Sequence, residues 1–132
     1  MTARHFLGIG HESRAQFADL LALIELGLAQ AGLQAGDIAG IASLAGKEPG
    51  GLVAELGRHF AAPVRYFSAA ALEVETPRLK NPSEAIFRQM GCHGVAEAAA
   101  LAAAGPAAHL ILPKMAGRGG TCAIARRGPF GR

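Results

Sequence analysis

Three short apolar runs, residues 5–9 (HFLGI), 37–43 (DIAGIAS) and 64–67 (VRYF), alternate with two segments of helical periodicity. This alternation constrains the fold more than any other feature of the chain. Strands separated by a helix pair in parallel through right-handed crossovers, so the first half predicts a βαβαβ unit. In the first helical segment Phe17, Leu20, Leu21, Ile24, Leu28 and Ala31 recur at the spacing of one buried helix face. Ser13 and Gln16 have the spacing of a capping box that opens this helix, and Gly32 supplies a left-handed stop. Leu52, Val53, Leu56 and Phe60 mark the second helix, between the turn-rich Lys47-Glu48-Pro49-Gly50-Gly51 and Pro63.

The second half is punctuated differently. Ser68 is placed to cap a short helix through Leu72. Asn81-Pro82-Ser83-Glu84 reads as an Asn cap, Pro at the first helical position and Glu at the third, opening a helix that ends near Gly91. Residues 94–104 form an Ala-rich helix stopped by Gly105-Pro106. Residues 109–113 and 120–126 read as strands joined by a flexible loop, 114–119, too short for a parallel crossover. The expected architecture is α/β and three-layer: a mainly parallel sheet with helices on both faces and a C-terminal antiparallel hairpin. One domain spans residues 1–132, with the tail from about residue 128 frayed. A chain of 132 residues buries a useful core without disulfides or metals.

Composition removes several function classes. A hydrophobic fraction of 51% against 17% charged residues excludes disorder. The net charge is only +3, no basic run exceeds Arg126-Arg127, and there is no basic stripe with interleaved aromatics, so nucleic acid is not an expected partner. Ten of the 13 basic residues are Arg, whose forked donors suit carboxylates and phosphates. Cys92 and Cys122 make no disulfide framework and fit a reducing cytoplasm. The N-terminus carries no signal-peptide pattern, and the apolar stretch 20–28 is broken by Glu25 and Gly27, so no membrane is expected. The five His residues have neither HxH nor HExxH spacing, so neither a metal nor a cofactor is expected.

Ligands of such folds lie outside the carboxyl ends of the parallel strands. That rule selects the loops at 8–13, 43–51 and 67–70, with the helix start at Asn81 and the Lys114 loop as completing parts. Gly8-Ile9-Gly10 lets backbone approach an anion at a helix start, although the same glycines also fit a plain tight turn. Lys47 and Glu48 can bind a carboxylate and move a proton, or form a solvated surface pair. Glu97 is the only charged residue between Gln89 and Pro113 apart from any charge on His93, four residues earlier, with which helical spacing would share a face. A carboxylate on that small-residue surface can have a raised pKa and act as acid or base; equally, the face is simply wet. Lys114, with Arg118 near it, is placed to reach an anion or to belong to a mobile basic loop.

The ordered set of GIG, DIAGIAS, KEPG, RYFSA, NPSEA, GVAEAAALAAAG and LILPK…GGTCAIARR resembles the CobE / CbiG C-terminal domain family of cobalamin biosynthesis, over residues 5–127. The resemblance implies a role in making the corrin ring. CbiG opens a ring lactone of a cobalt-precorrin and releases the excised carbon as acetaldehyde; CobE is its stand-alone relative in the aerobic pathway, and this chain has that form. The family-like positions are Gly8, Gly10, Lys47, Glu48, Pro49, Ser68, Asn81, Pro82, Ser83, Glu97, Lys114, Gly120 and Thr121. Relatives often carry Cys-Arg after the glycine pair, where this chain has His11-Glu12.

The expected ligand is therefore a precorrin or corrin tetrapyrrole, a flat apolar macrocycle fringed with carboxylates, and the expected partners include other enzymes of the pathway. Its contacts are assigned to Gly8, Gly10, His11, Lys47, Ser68, Ser83, Lys114, Gly120 and Thr121. Two functions follow. One is a carrier or accessory factor that binds the intermediate without changing it. The other is a lactone hydrolase in which Glu48 or Glu97 activates water and Lys114 steadies the oxyanion. A phosphate- or nucleotide-binding domain using the 8–13 turn is a third.

Overall fold

The computed structural model describes residues 3–46 and 51–128. Five strands, β1 (Arg4–His11), β2 (Ile38–Leu44), β3 (Val64–Phe67), β4 (His109–Gly117) and β5 (Gly120–Arg127), form one sheet in the order β3-β2-β1-β5-β4. Five helices, α1 (Phe17–Ala31), α2 (Leu52–Phe60), α3 (Ala69–Glu73), α4 (Glu84–Met90) and α5 (Ala96–Ala104), complete the α/β fold.

The βαβαβ unit forms as its alternation predicts, with β1 parallel to β2 and β2 parallel to β3. The sheet is nevertheless mixed and not mainly parallel. The C-terminal pair folds as an antiparallel hairpin, and β5 also lies antiparallel against β1. Only Arg118 and Gly119 separate its strands, and Gly119 has φ +75°, so the chain reverses in a two-residue turn. The expected loop at 114–119 is therefore mostly strand. Pro113 does not end β4, because β4 is an edge strand where a missing N–H is tolerated, and the ladder shifts register between Leu112 and Met115.

Alternate residues of β1 feed two separate cores. Leu7 and Ile9 pack with Leu20 and Ile24 of α1, Leu56 of α2, Leu112 and Ile124. Phe6 packs with Ala42, Ala125 and the alanines of α5. The Ala-rich helix lies almost on the sheet's backbone: a Cβ on Gly8 would sit 1.9 Å from the Ala96 carbonyl oxygen and 2.7 Å from the Ala100 nitrogen. Small residues on both partners make this approach possible.

Three helix starts differ from expectation. α1 begins at Phe17 behind Gln16 with no side-chain cap, because residues 12–15 form a turn of their own. There Ala15 N–H donates to the Glu12 carbonyl, and Glu12 N–H donates to Gly119 in the hairpin turn. α4 is capped by Ser83, whose Oγ accepts from Ile86 N–H at 3.2 Å, and not by Asn81. α5 begins at Ala96, so His93 lies before it and shares no helix face with Glu97. Among the described residues, no helix is long and apolar enough to cross a membrane.

Candidate functional site

The strand register brings five chain segments to one edge of the sheet. His11 ends β1 opposite Gly120, Ile9 pairs with Ser43, Leu44 pairs with Phe67, and Gly117 of β4 faces Gly120. The rim therefore carries His11, Ser68, Gly120 and Thr121 together, with the start of α5 above it. Lys47 and Glu48 follow β2 and lie outside the described residues.

The glycines of this rim are close-packed. Gly8 is buried beneath α5, so helix backbone occupies the space an anion would need. A Cβ on Gly10 would meet Thr121 Oγ1 at 2.9 Å and Val95 Cβ at 3.3 Å, and one on Gly120 would meet Leu20 Cδ2 at 2.3 Å. These residues shape the rim by letting its elements approach.

Its polar side chains stand differently. His11 Nδ1 lies 2.8 Å from the Glu12 carbonyl oxygen, which can only accept, so Nδ1 carries the proton. The other ring nitrogen, Nε2, is enclosed and has no hydrogen-bond partner among the described residues. A buried polar atom of this kind is satisfied by a ligand group or a water. Ser68 Oγ accepts from Ala71 N–H at 3.1 Å to cap α3, leaving its own hydroxyl proton to donate, as does Ser83 at α4. Thr121 reaches the Gly10 carbonyl at 3.5 Å. The Lys114 side chain is exposed on β4.

Glu97, in the first turn of α5, is only 2% exposed. Its Oε1 accepts from Lys80 N–H at 2.9 Å and Asn81 N–H at 3.0 Å. Its Oε2 accepts from Asn81 Nδ2 at 2.8 Å and Lys114 N–H at 2.9 Å. Burial opposes ionisation of this carboxyl, but the donors from Lys114, Asn81 and Lys80 outweigh it and hold its pKa below the ordinary value. The raised pKa expected of Glu97 is thus corrected. Both oxygens are engaged in joining residues 80–81 and 114 to α5.

Sequence reasoning missed a neighbouring cluster. His93 Nδ1 lies 2.8 Å from Glu73 Oε2, its Nε2 lies 3.2 Å from Glu84 Oε2, and Phe87 stacks on its ring at 4.3 Å between centroids. Burial disfavours the charged imidazole, but Glu73 and then Glu84 outweigh it and raise the His93 pKa. The four residues come from α3, α4 and the segment before α5, with no spacing that a sequence motif could register. Cys92 and Cys122 are buried free thiols, and burial pushes Cys122 up to about 11. Among the described residues, no three His, Cys, Asp or Glu side chains gather to hold a metal ion.

Residues 5–125 match the model of the family "Cobalamin synthesis G C-terminus". Protein CobE from Sinorhizobium sp is 44% identical over 119 residues, 90% of this chain and 77% of that protein. The solved structure of CobE, a protein from the cobalamin (vitamin B12) biosynthetic pathway, aligns with a TM-score of 0.89 at 32% identity. That alignment covers 97% of this chain and 93% of the other. A putative cobalamin biosynthesis protein G homolog from Sulfolobus solfataricus aligns with a TM-score of 0.74 at 26% identity, over 97% of this chain and 38% of that one.

Proposed function

The chain belongs to the cobalamin synthesis G C-terminus family, with CobE as a relative along most of its length, and on that premise we propose that it binds a carboxylate-rich corrin intermediate as a carrier or accessory factor. The ligand lies over the strand-end rim. The Ser68 and Ser83 hydroxyls, Thr121 and Lys114 meet its carboxylates, His11 Nε2 accepts from an N–H or O–H group of the ligand, and Lys47 is a further cation beyond β2. Gly8, Gly10 and Gly120 set the depth of the rim. Delivery to other enzymes of the pathway takes place in the cytoplasm, where free thiols such as Cys92 and Cys122 are at home.

One observation supports binding over catalysis. Glu97 accepts four N–H bonds, so its oxygens are engaged within the fold, and its pKa is lowered; both argue against its use as the base that activates water. The test is a titration of the purified chain with a metal-free late corrin acid, followed by the ligand's visible spectrum, beside intermediates whose lactone is intact. The expected result is 1:1 binding, weakened roughly tenfold in Lys114→Ala, with ligand recovered unchanged. Turnover with release of a small aldehyde overturns the carrier reading, and absence of binding overturns the site.

A further inference from the structure

We propose a second binding site, a carboxylate pocket built from Arg4, Arg65 and Arg127 around Phe6, at the edge of the sheet opposite the rim. A cavity of about 230 Å³ opens there, lined by these residues with Gly40, Pro63 and Ala103. Three independent features point to an anionic occupant.

The first is the register. Arg4 and Arg127 are direct partners across the β1–β5 ladder. Like charges placed directly opposite destabilise a sheet. Arg65 projects from the same face, since its partner Ala42 packs in the same core as Phe6. Three guanidiniums thus border one hollow, and none of them forms a salt bridge among the described residues.

The second is the way the guanidiniums are held. Arg4 and Arg127 lie over the Phe6 ring, with Cζ at 5.4 and 5.1 Å from its centroid, and Arg65 lies over Phe67 at 4.7 Å. Stacking fixes the plane of a guanidinium and leaves its N–H edges free, the arrangement that grips a carboxylate in bidentate fashion. Gly40, paired with Phe6, keeps the space between them empty: a Cβ there would meet the ring at 3.2 Å.

The third is that the partial negative charge at the end of α5 is already committed. The C-terminal end of α5 borders the hollow through Ala103, and the last carbonyls of the helix carry partial negative charge. Arg78 already serves this end of the helix, donating to the Leu101 carbonyl of its last turn at 3.4 Å, to the capping Gly105 at 3.1 Å and to Ala108 beyond it at 3.1 Å. The excess positive charge of the pocket is left for a ligand. Its apolar walls, Phe6, Pro63 and Ala103, suit the carbon skeleton of an organic acid. At this volume the occupant is a small polycarboxylate or one carboxylate arm of a larger molecule.

The proposal is independent of the corrin reading and is tested with citrate. Calorimetric titration of the full chain at low ionic strength is expected to give 1:1 binding. Affinity falls roughly tenfold in Arg65→Gln and further in Arg4→Gln/Arg65→Gln. Arg4 and Arg65 are exposed, so these variants fold, and the wild type alone gains thermal stability from citrate. Backbone amide shifts should centre on Phe6, Gly40 and Arg65. Repeating the titration with metal-free corrin acid separates the sources. A parallel loss in the double variant assigns the pocket to an arm of the macrocycle, and a loss for citrate alone assigns it to a free acid. Citrate that does not bind, binds the double variant as well as the wild type, or shifts the rim instead overturns the proposal and leaves the Lys114 test untouched.

Discussion

Replacing Glu97 by Gln removes a charge while keeping nearly the same shape, yet the bonding pattern predicts a large loss of stability. The carboxylate accepts four bonds, two on each oxygen, all from N–H groups of Lys80, Asn81 and Lys114. A Gln amide offers one oxygen. Whichever way it is turned, its NH₂ group faces two donors in place of an acceptor. Two hydrogen bonds to a charged group are lost, each worth about 1.5–3 kcal/mol, and the stranded donors are only part-buried, so water recovers some of the difference. The expected cost is about 2–4 kcal/mol, a large share of the roughly 5–15 kcal/mol that holds a domain together. Urea denaturation at pH 7 measures it. The sign with pH is also fixed. The folded-state pKa of Glu97 lies below the ordinary value, so its contribution is present above about pH 4.5 and is lost as pH falls through the depressed folded value. Wild type and Glu97→Gln should therefore converge in stability as the solution is acidified. A variant within about 0.5 kcal/mol of wild type at pH 7 would refute the reasoning, because surface changes without a structural role fall in that range.

Two further outcomes follow from the packing and the charges. Gly8→Ala places a methyl 1.9 Å from the Ala96 carbonyl oxygen, a backbone atom that cannot rotate away; a loss of more than about 3 kcal/mol is expected in thermal or urea unfolding. His93 has a raised folded pKa, so the stability it supplies is full below its ordinary value near 6.5 and is lost as pH rises through the raised one; His93→Ala should flatten that part of the stability–pH curve in denaturation series between about pH 5 and 9.

Legibility in the sequence followed the range of the interactions. α2 and β3 were readable because Gly51 and Pro63 punctuate them locally, and β3 spans Val64–Phe67 as its composition predicts. The cap of α4 was misplaced at Asn81 because that residue is engaged by Glu97, 16 positions away. Pro113 concealed the length of β4, since only the strand order reveals that β4 is an edge. The mixed character of the sheet follows from β5 choosing the free side of β1, which no local pattern encodes. For the site, the strand-end rule brought His11, Ser68 and Thr121 to one rim, but the cluster of Glu73, Glu84, Phe87 and His93 had no linear signature. The raised pKa expected of Glu97 is reversed for a related reason: three of its four donors are backbone N–H groups, which a sequence does not display.

The near-contact of α5 with β1 also limits how the molecule can respond to a ligand. Where Ala96 and Ala100 rest against Gly8, the interface is backbone on backbone and contains no rotamers to rearrange. Sliding the helix would drive carbonyl oxygens into the strand, so α5 and the central strands move as one body or not at all. Any accommodation on binding must then be carried by the side chains at the rim and by the short helices α3 and α4, on which residues such as Val74, Phe87 and Met90 are already exposed or lie just beyond a helix end. The domain is thus a rigid anvil with a narrow adaptable margin, and selectivity for the planar ligand proposed above would be set at that margin and not by closure of the fold.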